Sequence, residues 1–151
     1  MSAQTKGGQP LRLRAEDTAD LTVLAAALQD AIFVVGDLAF DARERRFIAS
    51  VNRFRWEDAR QPGPYERVRA ALSVETVLGV KSRKVRLGAR DAAGSLLDIG
   101  FAAGAEPPGG ALNLRLGGGG EITLAVECID VTLTDVGAPW LTPNRPDHER
   151  A

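Results

Sequence analysis

Every second residue from Val68 to Val80 is apolar or small (Val68, Ala70, Leu72, Val74, Thr76, Leu78, Val80), and Arg69, Ser73 and Glu75 fall in the gaps between Arg67 and Lys81. Side chains of a strand point alternately to opposite faces, so this period predicts a half-buried β-strand and not a helix. One wet face favours an antiparallel sheet over a parallel one covered on both sides. A strand of this length would run roughly 43 Å at about 3.3 Å per residue, too far for a flat strand in so small a chain. The pattern therefore predicts a strand that coils, bends near Gly79 or breaks in two.

Other segments carry the same signature. Leu11, Leu13 and Ala15 alternate with Arg12 and Arg14, a short first strand. Asp17 or Thr18 then reads as a helix N-cap, with Asp20 in the first turn where the helix dipole favours an anion. Leu21, Leu24, Ala25 and Leu28 form one apolar stripe, predicting a helix over about 17–29. Ile32, Val34, Gly36, Leu38 and Phe40 share a strand phase, Asp41–Glu44 reads as a turn, and Phe47–Trp56 as the returning strand of a hairpin. Gln61–Pro64 breaks the chain, the charged stretch 81–94 has no clear period, and Leu97, Ile99 and Phe101 mark a further strand.

Leu112, Leu114 and Leu116 alternate, Gly117–Gly120 turn the chain, and Ile122, Leu124 and Val126 alternate back, a β-hairpin. A phosphate loop would lead into a helix, and a strand follows here instead. Ile129, Val131 and Leu133 then take the opposite phase, which calls for a bulge or corner near Cys128. The sum is an α+β domain: a mainly antiparallel coiled sheet of about seven strands, a roll or partly open barrel, with one helix in the N-terminal half. A two-layer sheet with one helix is the alternative. The ordered domain is expected over 9–140, between a disordered tail at 1–8 and a flexible tail at 141–151.

Composition adds limits. A chain of 151 residues with 44% hydrophobic and 26% charged residues can bury a core without metal or disulfide staples. Neither a signal peptide nor a membrane span is visible, and the single cysteine cannot form an internal disulfide, so a cytoplasmic location with no membrane contact is expected. The net charge is −1, yet Arg43–Arg90 holds thirteen basic and five acidic residues. That segment could steer an acidic partner, or its charges could pair with acidic strands beside it. The acidic balance of the whole chain argues against nucleic acid.

Catalytic chemistry finds little support. His148 is the only histidine and lies in the C-terminal tail, so histidine-based triads and Cys/His zinc sites lack their parts. No loop has calcium- or magnesium-ligand spacing. No catalytic residue, metal ligand or cofactor is therefore assigned. Cys128, between apolar neighbours, reads as a buried, unreactive thiol. In Arg53-Phe54-Arg55-Trp56 the alternation separates arginines from aromatics, which argues against a stacking platform for single strands. With Phe54 and Trp56 in the core, Arg53 and Arg55 would be exposed beside Arg67 and Arg69.

Gly36-Asp37-Leu38-Ala39-Phe40, Arg45-Arg46-Phe47, Asn52–Glu57, Glu66-Arg67-Val68-Arg69 and Val126-Glu127-Cys128-Ile129 resemble segments of a family of short alphaproteobacterial proteins catalogued as a domain of unknown function. The resemblance spans Leu11 to Trp140 and implies no catalytic or binding residue. The function expected from the residues is a non-enzymatic binding or assembly module using an arginine-rich sheet face (Arg53, Arg55, Arg67, Arg69), with an acidic protein or a second copy as partner. The rival is a small histidine-independent enzyme or ligand-binding barrel using Asp, Glu, Arg and Tyr65.

Overall fold

The long alternation breaks in two at Glu75-Thr76, where Thr76 takes φ 57°, a left-handed conformation that a β-branched residue rarely adopts. The computed structural model describes residues 9–58, 65–142 and 146. The expected tail at 1–8, the break at 61–64, and 143–151 apart from Pro146, His148 included, lie outside the described residues. In chain order the elements are β1 (Arg12–Ala15), α1 (Thr18–Leu28), β2 (Ala31–Val34), β3 (Leu38–Asp41), β4 (Arg46–Phe54), β5 (Tyr65–Val74), β6 (Val77–Arg83), β7 (Ala93–Ala103), β8 (Gly110–Leu116), β9 (Glu121–Val126), β10 (Val131–Asp135) and β11 (Trp140–Thr142).

The eleven strands form one antiparallel sheet in the order β1-β10-β5-β4-β2-β7-β8-β9-β6, with β3 added to β4 and β11 to β5. The sheet is not closed: β1 and β6 are its two ends. The count exceeds the expected seven partly because single alternating segments, 32–40 and 68–80, each yield two strands. The tail beyond Pro139 also adds β11, which carries regular structure to Thr142. The sheet curls so that Leu72, Val74 and Leu133 on one side and Leu112, Leu114 and Leu124 on the other join a single apolar core. The helix packs against β7, β1 and β4 and contributes Leu21, Leu24, Ala25 and Leu28, the stripe read from the sequence. Asp17 caps it, its Oδ1 accepting from the Asp20 N–H at 2.7 Å.

Three phase readings are corrected. Between Ala31 and Phe40 the buried residues are Ala31, Phe33 and Val35, while Ile32 is exposed, and a 3-10 turn over Val35–Asp37 separates β2 from β3. Phe33 faces in because its partner across the sheet is Gly94, where a Cβ would stand 2.7 Å from the ring. In β7 a register shift between Leu96 and Asp98 buries Leu96 and Ile99 rather than Leu97 and Ile99. The reversal after Val126 is a corner: β9 lies between β8 and β6, whereas β10 lies between β1 and β5. Cys128 sits in that crossing and is half-buried rather than buried, with the Thr76 hydroxyl 3.9 Å from its sulfur.

The β8–β9 hairpin has the expected register, Leu112 opposite Leu124 and Leu114 opposite Ile122. Its glycines have two duties. Gly118 and Gly119 take φ 83° and 94°. A Cβ on Gly117 would run into Ser95 Oγ, and one on Gly120 would stand 3.0 Å from the Lys84 carbonyl oxygen.

Candidate functional site

Strand parity decides the fate of the four arginines. In β4 the inward residues are Phe47, Ala49, Val51 and then Arg53, so Arg53 continues the apolar row into the core. It is fully buried, as is its neighbour Arg55, contrary to the exposure expected for both. Such burial is tolerable only with complete pairing. Arg53 donates through Nε and Nη2 to both Asp135 oxygens at 2.7 and 2.9 Å, and through Nη1 and Nη2 to both Glu57 oxygens at 3.0 and 2.7 Å. Nη1 also donates to the Phe54 carbonyl at 3.3 Å. Asp135 in turn accepts from the Leu11 N–H at 2.8 Å, so the cluster ties β4, β10 and the start of β1 together. Arg55 lies 3.7 Å from Glu66 and 3.8 Å from Glu57.

Burial opposes the charge of Arg53, but the bonds from Asp135 and Glu57 outweigh it and raise its pKa. Burial likewise pushes the Glu57 carboxyl up, and the Arg53 hydrogen bond more than offsets this, leaving it below the usual carboxylate range. The cluster is a staple with no donor left over on Arg53.

Arg67 and Arg69 lie on the other face of the ribbon. Across β4–β5, Asn52 is opposite Arg69, Arg53 opposite Val68 and Phe54 opposite Arg67, which alternates inner and outer pairs. Arg69 donates to Asn52 Oδ1 at 3.2 Å and to Asp37 at 2.7 Å. Arg67 donates to the Asn52 carbonyl at 3.1 Å and stands over the Phe54 ring, 5.7 Å from its centroid; burial lowers its pKa. The expected arginine-rich face is thus split, two arginines within and two without. Phe54 is fully buried, as expected, but Trp56 only half so; its ring meets Phe54 edge-on at 4.6 Å and its Nε1–H donates to the Gln29 carbonyl.

Three other cations of the basic segment meet acidic neighbours, Arg45 with Glu127, Arg46 with Glu75 and Arg83 with Glu121. Lys81, Lys84 and Arg86 are exposed, and, like Arg43 and Arg90, none has an acidic partner among the described residues. The sequence signal for these three is the run of four cations within Lys81–Arg86, which carries no strand or helix period. Lys81 and Arg83 sit on β6, an end of the sheet. On its outer side β6 gains one backbone bond among the described residues, Val77 N–H to the Arg45 carbonyl at 2.8 Å. Leu78 on the same strand is 56% exposed.

Concavities among the described residues include the following three. A groove of about 680 Å³ runs over Ala102, Ala111 and Ala125 beside Leu78. One of about 450 Å³ lies between α1 and β7, with Asp98 and Arg115 on its wall. The third, about 230 Å³, lies under the segment after β6. No group of three or more His, Cys, Asp or Glu side chains that could hold a metal occurs among the described residues. No helix among them is long and apolar enough to cross a membrane.

The family model described as "Protein of unknown function (DUF2948)" matches residues 11–148. No curated protein and no solved structure matches the chain.

Proposed function

The chain belongs to that family of proteins of unknown function, and on this premise we propose, from its own residues, a non-enzymatic binding module that takes an acidic, extended protein segment along the free edge of β6. The observation that carries the reading is a sheet edge that, among the described residues, has no strand paired beyond it past Val77 and bears cations without acidic partners, Lys81 on the strand and Lys84 just beyond it. Backbone groups on such an edge supply affinity by strand addition, and alternate side chains supply selectivity. Leu78 offers an apolar contact and the lysines a place for carboxylates. The same cations disfavour a second copy, since antiparallel pairing of two β6 strands would gather both sets along one ladder. A reducing, cytoplasmic setting agrees with the single cysteine.

The test is fluorescence anisotropy with a labelled octapeptide of alternating Glu and Val. Binding at low salt that weakens about tenfold between 50 and 200 mM salt, and as much in Lys81→Ser, supports the reading. Absence of binding at low salt, or equal binding by variant and parent, rejects it. Sedimentation showing a dimer that is lost in Lys81→Glu would instead identify the edge as a contact between copies.

A further inference from the structure

The concavity under the segment after β6 combines features that the other two lack. Its floor is apolar, made by Phe33, Val35 and Leu116 with Val85 beside them, and the first three of these are core residues. Its rim carries Lys84 and Arg86, and no acidic residue lines it. Neither cation has an acidic partner among the described residues, whereas Arg45, Arg46 and Arg83 do. Lys84 is held there by the backbone. Its φ of 57° turns it toward the glycine hairpin, and its Nζ lies 3.7 Å from where Gly119 would carry a Cβ. A Cβ at Gly119 would be in ordinary contact with the ammonium, whereas one at Gly120 would crowd the Lys84 carbonyl at 3.0 Å.

An apolar floor under two unneutralised cations is complementary to a ligand with one anionic end and a hydrocarbon body. The volume of about 230 Å³ equals about eight water volumes, below the usual range for drug-sized ligands. We infer that this concavity binds a small apolar monocarboxylate of about ten non-hydrogen atoms, its carboxylate between Lys84 and Arg86 and its chain on Val85 and Leu116. Phosphate would leave the floor uncovered, and a neutral chain would leave the cations unanswered. This inference does not depend on the reading of the β6 edge.

Octanoate is the probe, titrated into the full chain and followed by methyl NMR and calorimetry, with octan-1-ol, octylamine and inorganic phosphate as comparisons. Saturable one-to-one binding of octanoate that shifts the Val85 and Leu116 methyls, at least tenfold tighter than any of the other three, is the expected result. Lys84→Asn, chosen because asparagine tolerates positive φ, combined with Arg86→Ser should weaken octanoate at least tenfold and leave octan-1-ol unchanged. Arg86→Ser alone should give part of that loss, which keeps the test valid if the double variant is unstable. Lys81→Ser should leave octanoate binding intact while weakening the acidic peptide, so the two ideas fail separately. Equal affinity for octan-1-ol, equal affinity for phosphate, or shifts confined to other methyls would each overturn the assignment.

Discussion

Arg53 uses every guanidinium N–H: one on Nε, two on Nη1 and two on Nη2 meet Asp135, Glu57 and the Phe54 carbonyl. Replacing it with Met strands the Asp135 carboxylate, whose side chain is 1% exposed, so stability should fall by about 3–5 kcal/mol in urea denaturation. Arg53→Lys should recover little, since an ammonium cannot serve two carboxylates as a planar fork does. Glu57 gives a pH signature. Its folded-state pKa is depressed, so its contribution is full above the ordinary carboxylate range and is lost as pH falls through the lowered value. The stability difference between the parent and Glu57→Gln should be largest near neutrality and shrink toward zero in acid. A difference that grew as pH fell would contradict the pairing. Phe54, rather than Trp56, is the aromatic anchor, and Phe54→Ala should cost about 3–5 kcal/mol.

Among the elements, the connections hold the special backbone: Asp30 between α1 and β2, and Arg45, Thr76 and Lys84 between strands. The turn from β3 to β4 begins with Asp41, whose Oδ1 accepts from the N–H groups of Arg43 and Glu44, and ends on Arg45 at φ 54°. That conformation costs a residue with a Cβ roughly 1–2 kcal/mol relative to glycine. The ion pair of Arg45 with Glu127 is exposed on both sides, so its loss matters little. Arg45→Gly should therefore stabilise the protein by about 0.5–1 kcal/mol, read as a higher melting temperature. Gly94→Ala should do the reverse, because its Cβ would stand 2.7 Å from Phe33 Cζ and the ring has the core behind it.

On the scale of the whole molecule, the open sheet distributes protection unevenly. β5 has β4 on one side and β10 with β11 on the other, whereas among the described residues β6 pairs with β9 alone. Native-state hydrogen exchange should find slow amides throughout Val68–Val74 and an alternation of slow and fast amides over Leu78–Arg83. Addition of the acidic octapeptide should slow the fast set. Uniformly slow exchange along β6 in the free protein would mean that its outer edge is already occupied.

The sequence by itself determined the helix with its cap at Asp17 or Thr18, the two hairpins, the antiparallel character and most of the core, because each depends on periodicity and turn chemistry within about ten residues. It also held the parity that sends Arg53 inward with Phe47, Ala49 and Val51, a signal outweighed in the reading by the hydrophobicity of Phe54 and Trp56. Only the tertiary structure decided that this arginine could stay there, since Asp135 lies 82 residues away and arrives through the β10–β5–β4 order. The same holds for the corner at Cys128 and for Lys84 and Arg86 standing over Phe33, Val35 and Leu116. Neither a local period nor a turn preference reports which strands will be neighbours, and charge compensation is settled between neighbours in space.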